Sequence, residues 1–188
     1  VKSTLGQNAN INLQSTQIAK IKGCNVIGIA GGEEKCGWLE DCGLDHVIDY
    51  KATKATKELG RIAKDGIDIY FDNVGGQILE IVLFRMNMKG RIVCCGAVSQ
   101  YDGTTPIGPR NLPGLLIVKR LKMEGFIVMD YAKEHGNAIK HLSEMNAAGD
   151  IKVTEDITEG LENAPDALIG LLNGDNFGKR MVRVTVDP

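Results

Sequence analysis

Short apolar segments alternate with amphipathic helical segments along the first half of this chain, and this alternation constrains the fold more than any other feature. The apolar segments are residues 25–30, 46–50, 67–71 and 91–95. The helical patterns between them are residues 34–42, 54–64 and 77–87, and a further helix is expected at residues 15–22. Short strands that alternate with helices are typical of a parallel sheet covered on both faces. The sequence therefore predicts an α/β fold built on a doubly wound parallel sheet.

The second half of the chain is less regular. A long loop is expected at residues 98–113, followed by a short helix, a strand and a long helix at residues 115–121, 122–129 and 131–148. The tail predicts an extended segment, a helix and a strand at residues 154–157, 161–173 and 179–186. Residues 1–5 make a poor first buried strand, because they are mostly polar or small.

Composition and charge exclude several classes of partner. The 188 residues carry a formal net charge of −2 without a long run of one sign, so neither nucleic acid nor an anionic membrane surface is an expected partner. No segment reaches the roughly 18 uninterrupted apolar residues of a membrane span, and the polar start does not resemble a secretion signal. A cytoplasmic location is the default expectation.

The five cysteines do not resemble a disulfide framework. Their number is odd, and Cys94 and Cys95 are adjacent within an apolar segment, which favours reduced thiols. Cys36, Cys42 and His46 do not have the spacing of a common zinc site. No metal site is expected.

The end of the segment at residues 67–76 gives the first candidate ligand contact. In a parallel sheet, ligands bind outside the carboxyl ends of the strands. Asn73 would present there an amide that can donate and accept, and Gly75 and Gly76 would let a flat ligand approach the backbone. The alternative is that Asn73 only caps the following helix and that the glycines only form the turn.

The end of the segment at residues 25–30 indicates which nucleotide is bound. In a dinucleotide-binding sheet, an acidic residue at this position favours a free ribose 2′-hydroxyl, whereas a basic residue favours a 2′-phosphate. Here Gly31 and Gly32 leave the turn without side chains, and Lys35 follows with a cation. We expect NADP as the cofactor, although Glu33 or Glu34 could instead bind a ribose hydroxyl and Lys35 could be a solvated helix residue.

The chemistry is expected to reside in the cofactor. Small residues at Cys95, Gly96 and Ala97 suit close approach of a nicotinamide ring to the backbone. The histidines do not form a catalytic triad with suitably placed partners, and paired carboxylates are absent. This pattern favours hydride transfer, in which the protein positions the cofactor.

Six segments, in order along the chain, resemble one enzyme family. They are residues 17–24, 28–35, 71–76, 90–97, 123–126 and 174–179, and the similarity extends from about Gln17 to Val186. The chain resembles the zinc-independent, NADP-dependent double-bond reductases of the medium-chain dehydrogenase/reductase superfamily, which include prostaglandin reductases and curcumin-reductase-like enzymes. The resemblance implies reduction of the C=C bond of an enone or enal: a hydride reaches the β-carbon and the resulting enolate is then protonated.

The resemblance also implies site residues and an assembly. Lys35 and Tyr50 would contact the 2′-phosphate end of NADP, and Asn73 would lie at the nicotinamide end. Further cofactor and cleft contacts would come from Cys95, Gly96, Ala97, Val98, Ser99, Gln100, Tyr101, Phe126, Ile127, Val128 and Asn176. Tyr101 is the candidate catalytic residue, because its hydroxyl could stabilise the enolate; the alternative is that Tyr101 only packs against the loop or cofactor. A homodimer through the sheet edge near Phe126 is the implied assembly.

Two departures from the family pattern leave other functions open. Family members carry a glycine-rich phosphate turn, whereas this chain has Ala9, Asn12 and Thr16 at the corresponding positions, where side chains would crowd a pyrophosphate. The family also has a GroES-like β domain that this chain does not supply. We therefore expect residues 1–157 to form a dinucleotide-binding domain and residues 158–188 to pack on the absent β domain. The alternatives are a quinone reductase or alcohol dehydrogenase of the same superfamily, or a non-catalytic module with impaired NADP binding.

Overall fold

The computed structural model describes residues 3–7, 13–101 and 108–185 and divides the chain into two compact units, residues 1–151 and 152–188. In the first unit, the described strands are β1 (Ser3–Gln7), β2 (Asn25–Ala30), β3 (His46–Asp49), β4 (Ile67–Asp72), β5 (Met86–Cys94) and β6 (Lys122–Gly125). The described helices of this unit are α1 (Leu13–Ile21), α2 (Glu33–Asp41), α3 (Ala55–Ile62), α4 (Gly76–Arg85), α5 (Leu112–Lys119) and α6 (His135–Ala147).

The six strands form one parallel sheet in the order β3-β2-β1-β4-β5-β6. The strand order reverses between β1 and β4, and this reversal defines a doubly wound sheet. The predicted fold class is therefore confirmed. A crevice for ligands is expected outside the carboxyl ends of the strands around this reversal.

The core lies on both faces of the sheet. The larger cluster joins the sheet to α3 and α4 and includes Ile27, Leu59, Tyr70, Val82 and Ile92, all at most 1% exposed. A second cluster packs α1 and α2 against β2 and is formed by the buried residues Leu13, Val26, Ala30, Leu39 and Leu44. Full burial of an aliphatic side chain stabilises a fold by about 1.5–3 kcal/mol, so these clusters hold the strand ends in place.

The first strand differs from its expectation. The polar start of the chain predicts a poor strand, yet Ser3–Gln7 pairs in parallel with both β2 and β4 at the centre of the sheet. Backbone hydrogen bonds to two neighbours stabilise this segment, so tertiary context outweighs its low intrinsic strand preference.

Several element boundaries also differ, among them the end of α4 and the end of β6. The helix expected to reach Asn87 ends at Arg85, and Met86 is already extended where β5 begins. The Lys119 Nζ donates to the Phe84 and Met86 carbonyls at this point (both 2.8 Å). The strand expected at residues 122–129 ends at Gly125, and a 3₁₀ turn follows at Val128–Tyr131.

The second unit contains β7 (Glu155–Glu159), a 3₁₀ turn (Leu161–Asn163), α7 (Ala164–Asn173) and β8 (Lys179–Arg183). The two strands pair in parallel. Asp156 Oδ2 accepts hydrogen bonds from Arg180 Nε (3.0 Å) and the Phe177 backbone N–H (2.9 Å), which ties the strands together. Packing of residues 158–188 on an absent β domain stays a prediction.

Candidate functional site

The turn after β4 and the turn after β5 are joined by backbone hydrogen bonds. Each bond runs from an N–H group of residues 95–99 to a carbonyl of residues 72–74: Cys95 N to Asp72 O (2.7 Å), Val98 N to Asn73 O (3.1 Å) and Ser99 N to Val74 O (3.2 Å). The Ser99 hydroxyl also donates to the Val74 carbonyl (2.6 Å). The two predicted nicotinamide contact segments therefore form a single surface at the carboxyl edge of the sheet.

A buried carboxylate holds the turn after β4. Asp72 is 2% exposed, and its Oδ1 accepts hydrogen bonds from the Tyr70 hydroxyl (2.9 Å), the Val74 N–H (3.0 Å) and the Gly75 N–H (2.8 Å). Gly75 (φ 69°) and Gly76 (φ 57°) adopt left-handed backbone conformations that favour glycine. Asp72 and the two glycines together determine the shape of this turn.

Asn73 lies within this joined surface with an unused donor. The side chain is 4% exposed, and its Nδ2 is buried with no hydrogen-bond partner among the described residues. Its Oδ1 lies against Gly96, where an added Cβ would overlap it. A buried amide N–H without an acceptor destabilises the fold. An acceptor on a bound ligand would therefore form a favourable hydrogen bond with the Asn73 Nδ2. The N-cap residue of α4 is Gly75, not Asn73, and no side-chain hydrogen bond caps this helix.

The other predicted contacts of this segment differ in exposure. Gly96, Ala97 and Val98 are partly buried, whereas Cys95, Ser99, Gln100 and Tyr101 are exposed. The Tyr101 side chain is 64% exposed and bends back, so that its hydroxyl accepts a long hydrogen bond from the Ala97 N–H (3.5 Å). The hydroxyl proton of Tyr101 is not needed for that bond and can be donated to another oxygen.

An aromatic row extends from the sheet to the segment after β6. The Phe126 ring contacts Phe71 on β4 and Tyr131 edge to face, with ring centroids 6.2 and 6.0 Å apart. Phe126 is partly buried, but the following Ile127 and Val128 are 50% and 64% exposed. The structure thus places the predicted contacts at residues 126–128 at the same edge of the sheet, beyond β5.

The turns after β2 and β3 meet in a separate part of this edge. Asp49 Oδ1 accepts hydrogen bonds from Gly32 N (3.1 Å), Lys51 N (2.8 Å) and Ala52 N (3.3 Å). The hydrogen bond from Gly32 N has the largest effect on the pKa of Asp49, which is lowered from its ordinary value. The charged carboxylate therefore holds both turns together at neutral pH.

Tyr50 and Lys35 lie at these two turns. The Tyr50 ring lies directly over Gly31, where an added Cβ would come within 2.8 Å of the ring carbon Cζ. Lys35 is in the first turn of α2 and is partly buried, whereas Glu33 and Glu34 are exposed. The two predicted 2′-phosphate contacts thus follow adjacent strands of the sheet.

The expected phosphate turn is described only in part. Ala9 and Asn12 lie outside the described residues. Thr16 is 4% exposed, and its hydroxyl donates to the Leu13 carbonyl within α1 (2.8 Å). The Thr16 hydroxyl is therefore occupied within its own helix.

Asn176 belongs to the second unit. Its side chain is 1% exposed, and its Nδ2 donates to the Gly178 carbonyl (2.8 Å). Its role as a cofactor contact stays a prediction, as do the roles of the other contact residues.

The cysteines and histidines do not assemble a metal site in the described ranges, where no group of three or more His, Cys, Asp or Glu side chains could hold an ion. Burial, with the charges of Asp49 and Glu40, raises the pKa of the Cys36 thiol to about 11, so it stays protonated. In the same ranges, no helix has both the length and the apolar character needed to cross a membrane.

Three residues of this edge were missed by sequence reasoning. Asp49 and Asp72 accept the hydrogen bonds that hold the two pairs of turns, and Lys51 lies at one of these turns, but none of the three was singled out from the sequence. The available signal was an aspartate at the last position of β3 and of β4, since such side chains commonly accept hydrogen bonds from the turn that follows them.

Comparisons with known proteins agree on one family. The sequence profile described as zinc-binding dehydrogenase matches residues 11–144. Prostaglandin reductase 1 from Bos taurus is 43% identical over 169 residues, which are 89% of this chain and 51% of that protein. The NADP(+)-dependent 2-alkenal reductase from Nicotiana tabacum is 43% identical over 171 residues, which are 90% of this chain and 50% of that protein.

A solved structure is similar over nearly the whole chain. CurA from Vibrio vulnificus, crystallised in complex with NADPH, superposes with a TM-score of 0.93 at 42% identity and covers 99% of this chain and 58% of that one. This chain spans about half the length of the curated relatives it matches.

The contact between Gly96 and Asn73 gives a prediction about stability. We expect Gly96→Ala to destabilise the chain by about 1–3 kcal/mol, because the new methyl group would overlap the buried Asn73 Oδ1. Urea denaturation followed by circular dichroism measures this change. Gly37→Ala is the control: apart from its chain neighbours and the backbone of its own helix, no described atom lies within 4 Å of the added Cβ. The exchange within α2 is expected to be neutral or stabilising. Equal stability of Gly96→Ala and wild type would contradict the described packing.

Proposed function

The chain belongs to the zinc-binding dehydrogenase family, within the medium-chain dehydrogenase/reductase superfamily, and on that premise we propose that it is the cofactor-binding portion of an NADP-dependent enone or enal reductase. The proposed reaction is reduction of a C=C bond conjugated to a carbonyl group. The substrate class is supported by the names of the relatives, which are a prostaglandin reductase and a 2-alkenal reductase.

The observation that carries this proposal is the unused donor of Asn73. Its buried Nδ2 lacks an acceptor among the described residues, beside the small residues Gly96 and Ala97. Hydroxyl or amide oxygens of a nicotinamide riboside would satisfy that donor, and the small residues would allow a flat ring to approach the backbone. The residues present therefore fit the nicotinamide half of a dinucleotide.

The turns after β2 and β3 fit the adenosine half. Gly31 and Gly32 place no side chain at the turn after β2, and Lys35 supplies a cation in the first turn of α2. A cation favours a ribose 2′-phosphate over a free 2′-hydroxyl. The NADPH bound to CurA supports the same choice of cofactor.

The chain's own residues would position the reactants and stabilise the enolate, and the α-carbon would take its proton from solvent. NADPH supplies the hydride when it is bound. Asn73 would orient the nicotinamide end through its Nδ2, and the joined turns would exclude water from one side of the ring. The Tyr101 hydroxyl, whose proton is available, would donate to the oxygen of the developing enolate.

We propose that the reaction is zinc-independent, as the resemblance of the sequence implies. In the described ranges, no group of three or more His, Cys, Asp or Glu side chains could hold a metal ion. A hydride from the cofactor and a proton from solvent would together complete reduction of the C=C bond.

The cofactor assignment predicts selective binding. We expect the chain to bind NADPH at least tenfold more tightly than NADH, a difference of about 1.4 kcal/mol, because the 2′-phosphate adds a charged contact. Titration followed by the fluorescence of Trp38, or by calorimetry, measures both dissociation constants. Equal affinities would contradict the assignment of NADP, and absence of binding would remove the proposed cofactor site.

The role of Tyr101 gives a second prediction. In the complete enzyme, Tyr101→Phe is expected to lower kcat for an enone about 10- to 100-fold with little change in the KM for NADPH, because one donor to the enolate is lost. Tyr131→Phe is the matched control, since the Phe126 contact of Tyr131 needs only the ring. An unchanged kcat for Tyr101→Phe would show that its hydroxyl is not catalytic.

The exposed edge of β6 supports a homodimer. Lys122 and Glu124 lie on either side of Met123 in the strand. Both are exposed, and they form an ion pair (2.7 Å). If two β6 strands paired antiparallel about Met123, each Lys122 would face the Glu124 of the second copy. Such an isologous contact would also satisfy the free backbone groups of the edge.

Light scattering tests this arrangement. We expect the 20.3 kDa chain to scatter as a dimer, Lys122→Glu to weaken the dimer through facing carboxylates, and Lys122→Glu combined with Glu124→Lys to restore it. A monomeric mass for the wild-type chain would contradict the proposed assembly.

A further inference from the structure

Lys51 lies at the same turn as Tyr50, although no cofactor contact was expected from it. Its Cε approaches Gly31 so closely that a Cβ added to Gly31 would lie 2.9 Å from it, the same separation as from the ring carbon Cε1 of Tyr50. The ammonium group is one bond beyond Cε. The cation of Lys51 therefore lies at the turn between β2 and α2, next to the Tyr50 ring.

The backbone of Lys51 is held in place. Its N–H donates to Asp49 Oδ1 (2.8 Å), which also accepts from Gly32 N in the neighbouring turn (3.1 Å). Thr53 adds two hydrogen bonds to the Asp49 carbonyl, from its N–H (3.1 Å) and its hydroxyl (2.9 Å). The attachment point of the Lys51 side chain is thus set relative to Gly31 and Gly32 before any ligand binds.

The charge of Lys51 is available to a ligand. The residue is exposed, and no carboxylate within the described ranges lies at ion-pair distance from its ammonium group. Asp49 interacts electrostatically with Lys51. Its Oδ1 accepts hydrogen bonds from three backbone N–H groups, however, and the two side chains do not form an ion pair within 4.0 Å in the described ranges.

We propose that Lys51 is a specificity-determining residue that binds the 2′-phosphate of NADP together with Lys35 and Tyr50, an inference that rests on the proposed function. The phosphate carries about two negative charges at neutral pH, which a single lysine does not neutralise. A second cation, which follows the adjacent strand, would add the missing positive charge. The free 2′-hydroxyl of NAD offers no such charge.

Lys51→Met tests this role, because it keeps the aliphatic chain over Gly31 and removes only the charge. Titration with NADPH and NADH is expected to show that the variant binds NADPH about five- to tenfold more weakly than the wild-type chain does. The dissociation constant for NADH should change by less than about twofold. Lys54→Met is the matched control: Lys54 is also exposed and nearby, and we expect both dissociation constants to stay unchanged. Lys51→Arg should retain the preference for NADPH.

The outcomes separate this inference from the proposed function. If wild type prefers NADPH but Lys51→Met keeps that preference in full, the role of Lys51 is wrong and the proposed cofactor stands. If Lys51→Met weakens NADPH and NADH equally, the residue acts on the shape of the turn and the inference is also wrong. If wild type shows no preference for NADPH, or binds neither nucleotide, both the inference and the cofactor assignment fail.

Discussion

The hydrogen bonds to the buried carboxylate of Asp72 are the interaction on which the proposed nicotinamide side of the site depends. A buried charge is costly unless several donors contact it, and Asp72 has the Tyr70 hydroxyl and the N–H groups of Val74 and Gly75. Burial raises the pKa of Tyr70 well above its ordinary value, and the charge of Asp72 raises it further, so Tyr70 remains a donor at neutral pH. The turn therefore keeps one shape, and the carbonyls of residues 72–74 are aligned to accept the bonds from residues 95–99.

Asp49 has a corresponding role on the other side of β1. Both aspartates end a strand, and each accepts hydrogen bonds from N–H groups of the turn that follows it. Asp49 also accepts from Gly32, so it joins two turns instead of one. Two hydrogen-bonded surfaces thus flank the point where the strand order reverses, and their placement suits the two halves of a dinucleotide.

The sequence predicted the fold better than the details of the site. Alternation of apolar strands and amphipathic helices led to the doubly wound sheet, since each short segment can bury its apolar side chains only in that arrangement. Periodicity did not reveal β1, whose position depends on pairing with β2 and β4. It also could not show that the Asn73 Nδ2 lacks an acceptor among the described residues, that Tyr50 and Lys51 lie on Gly31, or that Lys119 donates to carbonyls at the end of α4. These facts depend on contacts between residues distant in sequence.

The central claim is that the carboxyl ends of the strands form one cofactor site, and backbone amide NMR with NADPH tests it most directly. We expect the ¹H–¹⁵N resonances that shift on addition of NADPH to come from residues 31–35, 49–52, 73–76 and 95–101. Resonances at the opposite edge of the sheet, such as those of Gly66, Gly90 and Arg120, should stay in place. Shifts concentrated at that opposite edge, or confined to the second unit, would contradict the account.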